Sequence, residues 1–147
     1  MLDVRLATSV LDAAAELAGF AAAHADAGGI VSFLGQVRVE DDIEALELRH
    51  FAPLTLPGMQ ALAGQVMTRW PLAGLAVIHR VGVMVPGEAI VFVAAAARHR
   101  RDAFAAADFT MDHLKSESWF WKREKSAGEW RWIEPRAQDH ADLGRWR

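Results

Sequence analysis

The stretch Leu75-Ala-Val-Ile-His-Arg-Val-Gly-Val-Met-Val-Pro-Gly-Glu-Ala-Ile-Val-Phe-Val-Ala-Ala-Ala96 decides the fold. Leu75 to Gly82 and Ile90 to Ala96 are apolar runs of strand length, and Val85-Pro86-Gly87-Glu88 between them has turn chemistry, so the pair reads as a hairpin. Downstream, Phe104, Ala107, Met111 and Leu114 recur at helical spacing, which predicts a helix from Arg98 to about Ser116. Upstream, Gly58-Met59 opens an amphipathic helix carrying Leu62, Val66 and Trp70, and Pro71 ends it.

Further out, Ile43 to Phe51 alternates Ala45, Glu47 and Arg49 against Leu46, Leu48 and His50. That is a strand with one wet face, expected to pair with the strand before it. Ile30 to Arg38 reads as a mostly buried strand emerging at Arg38, and Glu40-Asp41-Asp42 as a turn. Asp3 to Thr8 alternates as a short strand. Ser9-Val-Leu-Asp12 resembles a capping box opening a helix that runs to about Ala25 and stops at Gly28-Gly29. At the other end, Trp119 to Glu124 and Trp130 to Glu134 form a second hairpin about Ser126-Ala-Gly128, and the tail 137–147 is a short helix or disordered. The order β-α-β-β-α-β-β-α-β-β predicts a mixed α+β fold with helices packed on a largely antiparallel sheet.

The 147 residues suit a single domain spanning 1–147. With 52% hydrophobic and 24% charged residues the composition is globular, which excludes a mainly disordered or fibrous chain. Cysteine is absent, so disulfides, thiolate metal sites and a persulfide relay on this chain are excluded. No apolar run is long enough to span a membrane and no secretory leader is legible, so the expectation is a soluble cytoplasmic protein. The net charge of −3 is unevenly spread: residues 1–50 hold nine acids against three bases, and residues 51–147 ten acids against thirteen bases. The second part is therefore the place for an anionic ligand.

Among sixteen basic residues only Lys115, Lys122 and Lys125 are lysine, and they fall close together. A compact amine able to lose its proton serves as base or nucleophile where a guanidinium does not. The competing account is a solvated turn. Arg98-His99-Arg100-Arg101 lies where a strand hands over to a helix, and orphan N–H groups and a forked guanidinium there suit a phosphate or carboxylate. Pairing with Asp102 and Asp108 is the plainer reading. Two amines and several guanidiniums in one cleft would leave some free amine at neutral pH through mutual repulsion. Six histidines lack close ligand spacing, and no phosphate loop or nucleophile-elbow motif is present.

Together, Phe33-Leu-Gly-Gln-Val-Arg38, Val77-Ile-His-Arg-Val-Gly82 with Pro86-Gly-Glu88, Ala97-Arg-His-Arg100 with Ala103-Phe104, Met111-Asp-His-Leu-Lys115, and Phe120-Trp-Lys-Arg-Glu124 before Trp132 resemble the large, catalytic subunit of molybdopterin synthase. The resemblance spans most of residues 28–136. It implies an α/β hammerhead-like part with an added antiparallel β subdomain, and a sulfur transferase that converts cyclic pyranopterin monophosphate to molybdopterin. Sulfur would arrive as a thiocarboxylate on the Gly-Gly C-terminus of a small ubiquitin-like carrier subunit, in a heterotetramer built on a homodimer of this chain. No cofactor, metal, nucleic acid or membrane is implied.

Carried over by position, Lys115 and Lys122 match the family's catalytic lysines. Gln36, Val37 and Arg38 match a substrate-contacting strand end, and His99 and Arg100 match an anion site contributed across the dimer. Arg123 and Glu124 match substrate-contacting positions beside the second lysine. Phe33 and Met111 resemble pocket lining and read equally well as ordinary core. Ser118-Trp119 and the segment Phe51 to Gly58 depart from the family pattern. The rival readings are a catalytically silent scaffold for a ubiquitin-like tail and a polyanion-binding module using the Arg/Trp surface.

Overall fold

The computed structural model describes residues 1–116, 119–133 and 141–146. In chain order these form β1 (Leu2–Ala7), α1 (Ala13–Ala23), β2 (Gly29–Gln36), β3 (Ala45–His50), α2 (Thr55–Arg69), β4 (Leu72–Arg80), β5 (Gly82–Met84), β6 (Ala89–Ala97), α3 (Arg100–Ser116), β7 (Phe120–Ser126), β8 (Glu129–Ile133) and a 3₁₀ turn, Gly144–Trp146. The strands make two four-stranded sheets, ordered β1-β4-β6-β2 and β5-β3-β7-β8. Pairing is antiparallel except between β1 and β4. The fold is mixed α+β.

The apolar runs of β4 and β6 are continuous because the first sheet is covered on both faces. Leu75, Val77, Val91, Val93, Ala95 and Ala97 join the core built with α2 and α3. Their neighbours Ala76, Ile78, Phe92, Ala94 and Ala96 face the other way, onto Leu11 and Phe20 of α1 and the residues before it. Strand alternation thus divides one stretch between two cores, each full side-chain burial contributing about 1.5–3 kcal/mol. The second sheet is covered on one face: Leu46, Leu48 and Met84 enter the α2–α3 core, while Val83, Trp121 and Trp132 stay exposed.

Several local expectations need correction. α1 is capped by Asp12, whose side chain accepts the Ala15 N–H at 3.1 Å, so the helix starts after Asp12 and Ser9 lies outside it. β2 is an edge strand rather than a mostly buried one, with Phe33 and Leu34 exposed. β3 does not pair with β2; it lies between β5 and β7 in the other sheet. α2 begins at Thr55, earlier than Gly58, because Pro57 falls in the first turn, where a helix N–H has no partner to lose. β5 was not anticipated. The Ala127-Gly128 turn has φ of 52° and 78°, the two left-handed residues that a tight hairpin demands.

Of the tail, Gly144–Trp146 is docked: Arg145 reaches Asp108 at 2.9 Å and Asp112 at 2.5 Å, and the Trp146 ring meets Trp70 and Phe109 edge-on. Residues 137–140, Arg147 and Ser118 lie outside the described residues.

Candidate functional site

Topology gathers the candidate residues at two ends of α3. β6 ends at Ala97, and α3 packs back over β6 and β2, so its C-terminus returns to the start of β6. β2 and β4 both run antiparallel to β6 and therefore finish at that same end. Gln36, His79 and Lys115 accordingly lie toward the same end of the first sheet, with Arg38 just beyond the end of β2. The helix N-terminus lies beside the start of β2: Gly29 pairs with Ala97, and the Gly28 Cα abuts the Arg98 carbonyl so closely that a Cβ has no room. Fifteen residues of helix, about 22 Å, separate Arg100 from Lys115.

Lys115 projects from the last turn of α3 with an exposed side chain. The buried His79 points to the same face of the first sheet as Leu75 and Val77, toward α3. Burial chiefly, and the Lys115 ammonium secondarily, hold its pKa at about 4, against the hydrogen bond to the Arg80 carbonyl, which raises it. The ring is thus neutral at pH 7. Its Nδ1 lies 3.0 Å from that carbonyl, which only accepts, so Nδ1 carries the proton. The imidazole stacks on Phe120 with centroids 4.0 Å apart. Lys122 lies two residues beyond Phe120 on the same face of β7, about 7 Å along the strand. Through His79 and Phe120 the end of α3 meets the strand of the second lysine.

Lys122 is paired across β7 with Leu48 and Ile133, and Glu124 with Leu46 and Arg131, so both side chains share the inner face. Lys122 Nζ is 3.8 Å from Glu124 Oε1, a loose, part-exposed pair worth little that leaves the amine available to a ligand. Arg123 points the other way. It donates to Glu47 across the strand pair and lies over Trp130 at 4.5 Å, on the outer face, and is not brought to Lys122.

Gln36 and Arg38 are exposed, whereas the Val37 side chain is buried and its backbone bonds to Gly87 and Glu88. Phe33 is exposed and is not core; Met111 packs against the α2–α3 core. His99 and Arg100 are exposed at the helix N-terminus, and His99 supplies the carbonyl for the first-turn N–H groups of Asp102 and Ala103. One chain therefore brings the end of α3 that carries Lys115, through His79 and Phe120, to the strand that carries Lys122 and Glu124, and leaves His99 and Arg100 apart.

Elsewhere, a cavity of about 270 Å³ lined by Asp3, Glu16, Phe20 and His24 lies on the α1 side of the first sheet, away from both lysines. His24 Nε2 there has no hydrogen-bond partner among the described residues and rests on Gly74, where a Cβ would not fit. Among the described residues no group of three or more His, Asp or Glu side chains is placed to hold a metal ion, and no helix is long and apolar enough to cross a membrane.

Sequence reasoning missed His79 as the buried contact between the two elements that carry the lysines. The legible signal was a histidine and an arginine closing an otherwise apolar strand.

Residues 6–117 match the family model described as MoaE protein. A relative from Caulobacter vibrioides, named molybdopterin synthase catalytic subunit, is 44% identical over 131 residues, covering 88% of this chain and 87% of its own. The solved structure of a molybdopterin biosynthesis MoaE protein from Burkholderia ambifaria superposes with TM-score 0.84 at 40% identity, covering 99% of this chain and 98% of the other. A chain from Helicobacter pylori, solved as a protein-protein complex of subunits 1 and 2 of molybdopterin-converting factor, shares the fold at TM-score 0.79 and 18% identity, covering 90% and 91%.

Proposed function

The chain belongs to the MoaE protein family, the catalytic side of molybdopterin synthase, and from that premise we propose how its site works. The activity is sulfur transfer in molybdenum-cofactor biosynthesis. The substrate is cyclic pyranopterin monophosphate, and the sulfur donor is the C-terminal thiocarboxylate of a small ubiquitin-like carrier. The relative from Helicobacter pylori, solved as a two-subunit complex, supports such a partner. A chain without thiols receives sulfur already activated elsewhere, which suits this division of labour.

Lys115 receives the carrier's C-terminus and assists acyl or proton transfer as the thiocarboxylate sulfur attacks a side-chain carbon of the pterin and displaces an oxygen from it; water then cleaves the acyl–sulfur bond, which releases the carrier as a carboxylate and leaves the sulfur on the pterin. Lys122 orients the intermediate or relays a proton, with Glu124 beside it. Arg38, from the adjoining strand end, holds the substrate phosphate and offsets negative charge developing on it.

The observation that carries the reading is the split along α3. Lysines and Arg38 stand at one end, and the His99–Arg100 anion site stands about 22 Å away at the other. A second copy closes that gap. β2 is an edge strand with unpaired backbone and exposed Phe33 and Leu34. Antiparallel pairing of two such edges about a two-fold axis sets the start of one β2 beside the end of the other. It thereby carries His99 and Arg100 of each copy to Lys115 and Arg38 of its mate, giving two complete sites per homodimer.

The test is sulfur transfer in vitro with thiocarboxylated carrier and cyclic pyranopterin monophosphate. Molybdopterin should form with wild type and nearly vanish with Lys115→Ala. Full product from both Lys115→Ala and Lys122→Ala would sink the assignment in favour of a silent scaffold.

A further inference from the structure

The residues that enter β7 are gripped from two sides. From the start of α2, the buried Thr55 hydroxyl donates to the Trp119 carbonyl at 2.6 Å and accepts the Phe51 N–H at 3.0 Å, so both its hydrogen-bonding roles are used. The Trp119 indole lies against Gly58 one turn further along α2, where a Cβ would overlap its Nε1 and Cε2. From the end of β4, His79 stacks on Phe120. The clamp therefore holds Trp119 and Phe120, two of the described residues between Lys115 and Lys122. Both departures from the family pattern, the segment Phe51 to Gly58 and Trp119, meet here and fit each other.

We infer that Thr55 and Gly58 are positioning residues for the sulfur-transfer site: they seat Trp119, and Trp119 fixes Lys122 relative to Lys115. None of the three touches the reacting atoms. The inference rests on the two lysines being the reacting amines. Its physical content is that a reacting group displaced by about 1 Å loses on the order of a hundredfold in rate.

Gly58→Ala separates positioning from support. Alanine favours the helix and offsets part of the packing lost as the new methyl pushes the indole out of its seat, so the fold is kept. In the reconstituted synthase, Gly58→Ala should lower kcat roughly tenfold or more with little change in KM for the pterin. Gly58→Ala combined with Trp119→Phe should recover most of the rate, because the smaller ring leaves room for the methyl. Thr55→Val should lower kcat and Thr55→Ser should restore it. Lys115→Ala runs alongside. If it is inactive while Gly58→Ala and Thr55→Val turn over at the wild-type rate, the positioning role is overturned and the lysine assignment stands. If Lys115→Ala is fully active, the assignment falls and the positioning role with it.

Discussion

The two ends of α3 are built on opposite plans. At Lys115 the helix end is set into a frame: His79 is buried beneath it, Phe120 stacks on His79, and Thr55 ties the neighbouring backbone to α2. At His99 and Arg100 the side chains stand exposed beside the open edge of β2. The first end is organised within the chain, and the second, in the proposed homodimer, would be organised by the other copy. A reacting amine needs its geometry held before substrate arrives, whereas an anion clamp gains by being completed only on assembly.

Mixing subunits breaks the comparison most severely. Lys115→Ala and His99→Ala homodimers should each lose nearly all sulfur transfer, and a mixed dimer should regain activity because it contains one intact composite site. Turnover that never recovers on mixing would place both residues in one protomer's site. Leu34→Glu, which charges the exposed edge of β2, should convert the proposed dimer to monomers by light scattering and take turnover down with it. A fully active monomer would dispose of the shared site.

At the framed end, His79 links stability to pH. Its folded pKa of about 4 lies below the unfolded value of 6.5, so the imidazole is neutral when buried beside Lys115 and Arg80 and must charge as the chain unfolds in acid. Stability is full above pH 6.5 and is lost as pH falls toward 4, by about 2 kcal/mol between pH 6.5 and 5. His79→Phe keeps the stack on Phe120 and should remove that part of the acid sensitivity, read as a smaller drop in Tm between the two pH values. The same drop in both proteins would mean that His79 is not the titrating group. The smallest effect is expected from Asp112→Asn. Asp112 accepts from both Arg145 and Trp146 and is itself mostly covered, but Arg145 is half exposed and an amide oxygen can still accept, so the change should lower Tm only slightly.

The framed end was only partly legible in the sequence. Apolar runs and turn chemistry placed β4, β6 and α3, because local pattern and burial agree there. The alternation of Trp121 and Arg123 against Phe120, Lys122 and Glu124 already put Arg123 on the opposite face from Lys122, yet resemblance grouped them as one site. β5 went unseen because three residues become a strand only through pairing with β3, a distant partner. The partner of β3 was misread for a related reason: alternation tells which side is wet but not which strand lies alongside. The true start of α2 was hidden because Pro57, in the first turn of the helix, looks in sequence like a proline in a loop. His79, Thr55 and Trp119 lay hidden because their roles exist only where α2, β4 and β7 come together.

The length of α3 has one more consequence. In the proposed homodimer it works as a ruler that sets the reach between two half-sites, and β2 beside it is the matching rule along which the copies would register. Inserting one residue into the helix would advance Lys115 by about 1.5 Å and swing it by roughly 100°. Inserting one into β2 would turn its outward side chains over to the other face. Symmetry would enter each error twice. Descendants of this chain can exchange side chains along the helix far more freely than they can gain or lose a residue in it.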